Sequence, residues 1–266
     1  MKGSLRTTHF DLKQTLECGQ FFNWLRLGDG YAVRTHGREF EVRQDGELLV
    51  FSGVEKSFIQ RFFSLDHDPA AIRDSIPGDP WLDQAFQSYG RLRLLRQDPW
   101  ECLVAFLLTP VSNIPRIQRN LLSVYERTGF EPERMRPAVL KGLGLGFRWR
   151  FLDSAARRVA KPGLEAWRRS GPEGMEGILG AGPKVRDCVR LFGYGEYSSF
   201  PVDTWIRKVL RRLYGVRVKE AGLRDWASRR FGPWAGYAQQ WLFAWSRTHP
   251  HARFKGIRSG RIPART

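Results

Sequence analysis

A chain of 266 residues is long enough for two modest domains with full cores, and 42% hydrophobic and 13% aromatic residues exclude a disordered protein. Forty-four Lys and Arg against 27 Asp and Glu give a formal charge of +17, pointing to a polyanionic partner, nucleic acid first and an acidic membrane surface second. No apolar run is long enough to span a membrane, and no apolar signal region follows Met1-Lys2-Gly3-Ser4.

The front of the chain reads as strands and turns. Phe21-Phe22-Asn23-Trp24, Tyr31-Ala32-Val33-Arg34, Phe40-Glu41-Val42-Arg43 and Leu48-Leu49-Val50-Phe51 are short strand-like runs. Gly28-Asp29-Gly30 and Asp45-Gly46 supply turns between them. Helical pieces are expected around residues 55–65 and 80–96. Asp98-Pro99-Trp100-Glu101 is a capping box with proline at the first helical position, and Cys102, Phe106 and Leu107 continue an apolar stripe. Further helices are expected near 114–127, 150–160, 164–170, 174–179, 184–193, 203–213, 220–231 and 233–247. The end of the chain holds Lys255, Arg258, Arg261 and Arg265 with two glycines, and reads as a disordered, phosphate-seeking tail. The expected fold is α+β: an antiparallel β-rich domain over 1–97, an all-helical domain over 98–247, and a basic tail over 248–266.

Two stretches carry the chemistry. Leu179-Gly180-Ala181-Gly182-Pro183-Lys184 is a glycine-rich hairpin ending in a lysine that opens a helix. Phe200-Pro201-Val202-Asp203 places a carboxylate 19 residues later. The helix N-terminus is positive and Arg186 and Lys208 are near in sequence, surroundings that favour a nucleophilic amine at Lys184. A carboxylate at Asp203 can accept a proton or stabilise a developing cation, and can also cap the helix that starts at Thr204. Free N–H groups at Gly180 and Gly182 suit DNA phosphates. The three cysteines, Cys18, Cys102 and Cys188, suit a reducing cytoplasm and cannot supply the four thiolates of an iron–sulfur cluster.

The hairpin followed by Val202-Asp203 resembles the helix–hairpin–helix, Gly/Pro-Asp superfamily of DNA glycosylases. Within it, the chain is similar to the 8-oxoguanine DNA glycosylase branch. Cys18-Gly19-Gln20-Phe21-Phe22-Asn23-Trp24 resembles that branch's amino-terminal Ser-Gly-Gln-x-Phe-x-Trp segment. Leu94 to Leu103 is similar to the opening of its helical part. Leu143-Gly144-Leu145-Gly146-Phe147-Arg148 resembles its Leu-Gly-Leu-Gly-Tyr-Arg loop. Gly236 to Phe243 resembles its last helix. The matches come in the family's order over about residues 17–247.

The resemblance implies a bifunctional glycosylase and abasic-site lyase with no cofactor, acting as a monomer on damaged double-stranded DNA, away from membranes, in the cytoplasm, nucleoid or nucleus. It implies that Lys184 attacks C1′ and forms an imine, with Asp203 stabilising the cationic sugar. A flipped base would lie between Cys188 and Phe243, with its Watson–Crick edge on Gln239. Gln239 and Phe243, four apart, share one helix face. The Gly19 carbonyl would separate 8-oxoguanine, protonated at N7, from guanine, an acceptor there. Asn113, Arg116, Phe147 and Arg148 fall where the family contacts the widowed base and the strands. Four positions depart from the family pattern: Val111 for asparagine, Phe147 for tyrosine, Trp205 for histidine and Ser246 for aspartate. Two other readings compete: a glycosylase for other damaged bases such as alkylated purines, and a non-catalytic hairpin protein that clamps phosphates. The first often lacks the lysine, and the second has no need of Lys184, Asp203, Gly19 and the Gln239/Phe243 pair together.

Overall fold

Three aspartate–proline pairs set much of the chain's course. Asp68, Asp79 and Asp98 each precede a proline, and each carboxylate accepts two N–H groups from the first turn of the helix that follows. Proline gives up no bond at that position, because the first-turn N–H groups have no helical partner. The computed structural model describes residues 1–249. The basic tail expected from 248 therefore lies almost wholly outside the described residues.

The sheet is formed by β1 (Lys2–Arg6), β2 (Trp24–Leu27), β3 (Gly30–Thr35), β4 (Arg38–Asp45) and β5 (Leu48–Ser52), in the antiparallel order β1-β5-β4-β3-β2. Alternation places Tyr31, Val33, Phe40, Val42, Leu49 and Phe51 in a buried layer. The layer packs with α1 (Leu12–Glu17) and α2 (Lys56–Phe62), whose Phe58 and Phe62 rings stack at 6.0 Å. The other helices are α3 (Pro69–Ser75), α4 (Pro80–Tyr89), α5 (Pro99–Leu107), α6 (Ile114–Thr128), α7 (Pro137–Leu140), α8 (Trp149–Ala160), α9 (Leu164–Arg169), α10 (Pro183–Phe192), α11 (Thr204–Leu213), α12 (Glu220–Phe231) and α13 (Ala235–Thr248).

The helical core surrounds α5, which buries every residue from Trp100 to Leu107 except Glu101. Helices of this kind are held by packing rather than by propensity, at about 1.5–3 kcal/mol per large side chain buried. The two cores interleave along the chain: Ile72, Ile76, Leu82 and Ala85 precede residue 97 yet belong to the helical core, while Leu95 belongs to the sheet core. Phe21 and Phe22 likewise point into different cores.

Several expectations change. The strand expected at Phe21–Trp24 begins only at Trp24, because Phe21 and Phe22 leave the pleat to fill the two cores. β1, α1 and α3 were not expected from the sequence pattern. The helix expected over 80–96 stops at Tyr89, and residues 92–98 form neither helix nor strand, with Leu94 in one core and Leu95 in the other. The helix expected over 174–179 is only a single 3-10 turn, Pro172–Met175. The capping box is half formed. Asp98 caps α5, but the Glu101 carboxylate turns away and accepts the N–H groups of His36 and Gly37, each at 3.0 Å. The β3–β4 turn is thereby tied to the helical core.

Candidate active site

The hairpin packs through its first glycine. Gly180 has φ +84°, and a Cβ there would lie 2.6 Å from the Phe151 ring, so only glycine lets the turn sit on α8. Around Gly182, by contrast, a Cβ would meet nothing within 4 Å, so the backbone there is open to a ligand. Gly182 is the N-cap of α10, and the first N–H groups of that helix point outward past it. Leu179, at the tip, is half exposed.

Lys184, the second residue of α10, runs inward. Its Nζ lies 4.5 Å from the centre of the Phe106 ring and 3.4 Å from Thr109 Oγ1. The amine therefore rests on an aromatic face with one weak hydroxyl partner, and no carboxylate is paired with it among the described residues. One turn on, Cys188 is fully buried. Burial pushes its thiol up to about 12; the Lys184 amine works against that shift and the Asp203 carboxylate adds to it. Lys184 and Asp203 thus both lie close enough to the Cys188 thiol for their charges to act on it. Asp203 is partly exposed, and its Oδ1 accepts the N–H of Ile206 at 2.8 Å as the N-cap of α11.

A second group comes from α13 and the segment after α1. Gln239 is 5% exposed, and its Oε1 is buried with no hydrogen-bond partner. A buried acceptor left unpaired costs roughly 1–3 kcal/mol, and such orphans mark places where a partner is expected. Gly19 has φ +90°, and a Cβ there would lie 3.3 Å from the Phe243 ring. The residues around Gly19 are tied down. Cys18 O accepts Gln240 Nε2 at 3.3 Å, Gln20 O accepts Gln97 Nε2 at 2.7 Å, and the Gln20 side chain bridges Thr15 O, Arg93 O and Leu95 N. No hydrogen bond among the described residues ends on the Gly19 carbonyl.

A third group forms the rim. Asn113 caps α6 and accepts the Arg116 N–H at 3.0 Å, while the Arg116 side chain is exposed without a partner among the described residues. Phe147 is 48% exposed on an edge contact with Phe151. Arg148 does not reach outward as expected. It is 2% exposed, and its guanidinium is spent on the carbonyls of Pro110 (2.8 Å), Leu145 (3.2 Å) and Val111 (2.6 Å). The loop it braces presents Val111 85% exposed with φ +50°, a strained backbone for a β-branched residue.

Known proteins share this fold. The family profile described as the N-terminal domain of 8-oxoguanine DNA glycosylase matches residues 4–103. The 8-oxoguanine glycosylase/lyase of Clostridium acetobutylicum, solved with double-stranded DNA containing cytosine opposite 8-oxoguanine, superposes with a TM-score of 0.82. It is 26% identical, over 94% of this chain and 98% of that one. The chain is thus similar to the 8-oxoguanine DNA glycosylases along nearly its whole length. The chain is also similar to the N-glycosylase/DNA lyase of Arabidopsis thaliana, 28% identical over 90% of this chain and 78% of its own length. The N-glycosylase/DNA lyase of Saccharomyces cerevisiae is 25% identical over 84% of this chain and 73% of its own length.

The structure brings Lys184 and Asp203 near Cys188, and separately sets Gly19 beside Phe243, which shares a helix face with Gln239. Sequence reasoning missed Thr109 and Phe106 under the Lys184 amine, because neither belongs to a motif. It also missed Gln240 and Arg247, although Arg247 lies four residues past Phe243 and eight past Gln239, a spacing that places all three on one face of α13.

Proposed function

We propose that this protein is a bifunctional DNA glycosylase and abasic-site lyase that excises 8-oxoguanine from duplex DNA in base excision repair. One observation carries the reading. An amine and a carboxylate at two helix starts both act on one buried thiol, and the chain also carries two acceptors unpaired among the described residues, Gln239 Oε1 and Gly19 O.

The damaged nucleotide is flipped into the pocket. Phe243 and Cys188 hold the base by its faces, and Gln239 reads its Watson–Crick edge. The Gly19 carbonyl accepts the N7–H of 8-oxoguanine and repels the N7 lone pair of guanine. Asp203 stabilises the cationic sugar as the C1′–N9 bond breaks and the electron pair leaves with the base. Lys184 Nζ attacks C1′ and gives up a proton; the C1′–O4′ bond then breaks, O4′ takes a proton as the sugar ring opens, and the C1′–N imine remains. Removal of a C2′ proton then breaks the C3′–O bond, and the 3′ phosphate departs. The step needs no cofactor. Gly180, Gly182 and the first turn of α10 hold a phosphate, Asn113 and Arg116 meet the opposite strand, and Phe147 wedges the stack. Arg148 acts on DNA only through the loop it braces. On this reading residues 98–247 form the catalytic unit, residues 1–97 contribute Gly19, and the protein works as a monomer wherever the genome is kept, nucleoid or nucleus.

The test is cleavage of duplexes carrying 8-oxoguanine opposite each of the four bases. Release of the base with strand nicking from at least one duplex is expected; four intact duplexes would contradict the reading.

A further inference from the structure

The face of α13 that carries Gln239 and Phe243 continues to Arg247, one turn nearer solvent. A Cβ on Gly19 would lie 3.3 Å from Arg247 Nη1, the same distance as from Phe243 Cε1. The guanidinium carbon is 5.6 Å from the centre of the Phe243 ring. The Arg247 donors have no hydrogen-bond or ion-pair partner among the described residues. The Gly19 backbone, whose carbonyl accepts no hydrogen bond among the described residues, and an unspent cationic donor therefore lie close together.

The chemistry of the lesion fits that pair. Along the oxidised edge, 8-oxoguanine presents O6, N7–H and O8; guanine presents O6, an N7 lone pair and a C8–H. An acceptor at N7 has a donor as its natural neighbour at O8. We propose that Arg247 is a specificity-determining residue that donates to the C8 oxygen of the flipped base, a second reader of the lesion beside Gly19. The inference rests on the glycosylase reading and deepens it. With guanine in the pocket, the guanidinium meets C–H and loses its partner, so the contact rewards only the oxidised base.

The experiment compares two single-turnover rates in the full chain: release of 8-oxoguanine, and nicking of the same duplex with an abasic site in place of the lesion. Arg247→Leu lowers the ratio of the first to the second by about tenfold to a hundredfold, the worth of a hydrogen bond to a charged donor. Arg247→Lys, which keeps a donor, retains most of the ratio. Thermal unfolding of both variants confirms that the fold is intact. A ratio within twofold of the parent in Arg247→Leu overturns the proposal, including the case in which both rates fall together because the guanidinium holds only a phosphate. A parent that releases no 8-oxoguanine overturns the function itself, so the two failures are distinct.

Discussion

The two walls of the proposed site are built by opposite means. The recognition wall, residues 18–20 against α13, is crowded with buried amides: Gln20, Gln97 and Gln240 each donate to main-chain carbonyls, and the acceptors left over are Gly19 O and Gln239 Oε1. The chemistry wall, the starts of α10 and α11, has few polar groups. Lys184 lies on a phenylalanine ring, and Asp203 spends one oxygen on a helix cap. Recognition needs atoms held in place, which a satisfied network provides. Chemistry needs a group that can change partners, which an amine on an apolar surface can do. Damage to the first wall should show in stability and preference together; damage to the second should show in rate alone.

The largest effect expected is on the chemistry wall. Asp203→Asn keeps the cap of α11, since asparagine caps as well as aspartate. Base release should fall roughly 10²–10⁴-fold while the melting temperature moves little. A parallel loss of stability would show that Asp203 is mainly a cap. Next is Gln20→Leu, on the recognition wall. It strands Arg93 O and Leu95 N, leaves Thr15 O with the Cys18 thiol, and should cost roughly 1–3 kcal/mol in denaturant unfolding, with a weaker preference for the lesion. An unchanged preference would separate the strap from recognition.

The tie between the β3–β4 turn and α5 adds a pH dependence. Burial, then the nearby Asp98 charge, lifts the Glu101 carboxyl to about 7, against an ordinary 4.5. A raised acid favours the folded state most when protonated. Its contribution is therefore fully present below about 4.5 and is lost as pH rises to about 7. The stability difference between the parent and Glu101→Gln should change across that window and be flat outside it; a difference constant with pH would remove the burial argument. The smallest effect expected is at the rim. Val111→Asn places a residue that tolerates φ +50° where valine is strained, and should raise stability by about 1 kcal/mol or less in thermal unfolding. No gain would mean the loop holds valine without cost.

Much of this was legible in the sequence where local rules agree with tertiary ones. The strands at Tyr31, Phe40 and Leu48 alternate as a half-buried sheet must, and the hairpin at Leu179–Lys184 forms as its glycines demand. Asp98-Pro99 announced α5, and the same reasoning applied to Asp68-Pro69 would have found α3. What stayed hidden depended on distant partners. Nothing local says that Glu101 leaves its own helix for His36 and Gly37. Nothing local says that Arg148 turns inward to Pro110 while Arg116 stays free. β1 is an edge strand whose pairing with β5 comes from the far end of the sheet, beyond the reach of its own pattern.

The central claim is that the Lys184 amine bonds to the sugar of the damaged nucleotide. Trapping with borohydride on an 8-oxoguanine duplex tests it directly. The parent should give a covalent protein–DNA adduct, and Lys184→Gln should give none while still binding the lesion duplex. An adduct of undiminished yield from Lys184→Gln would contradict the account.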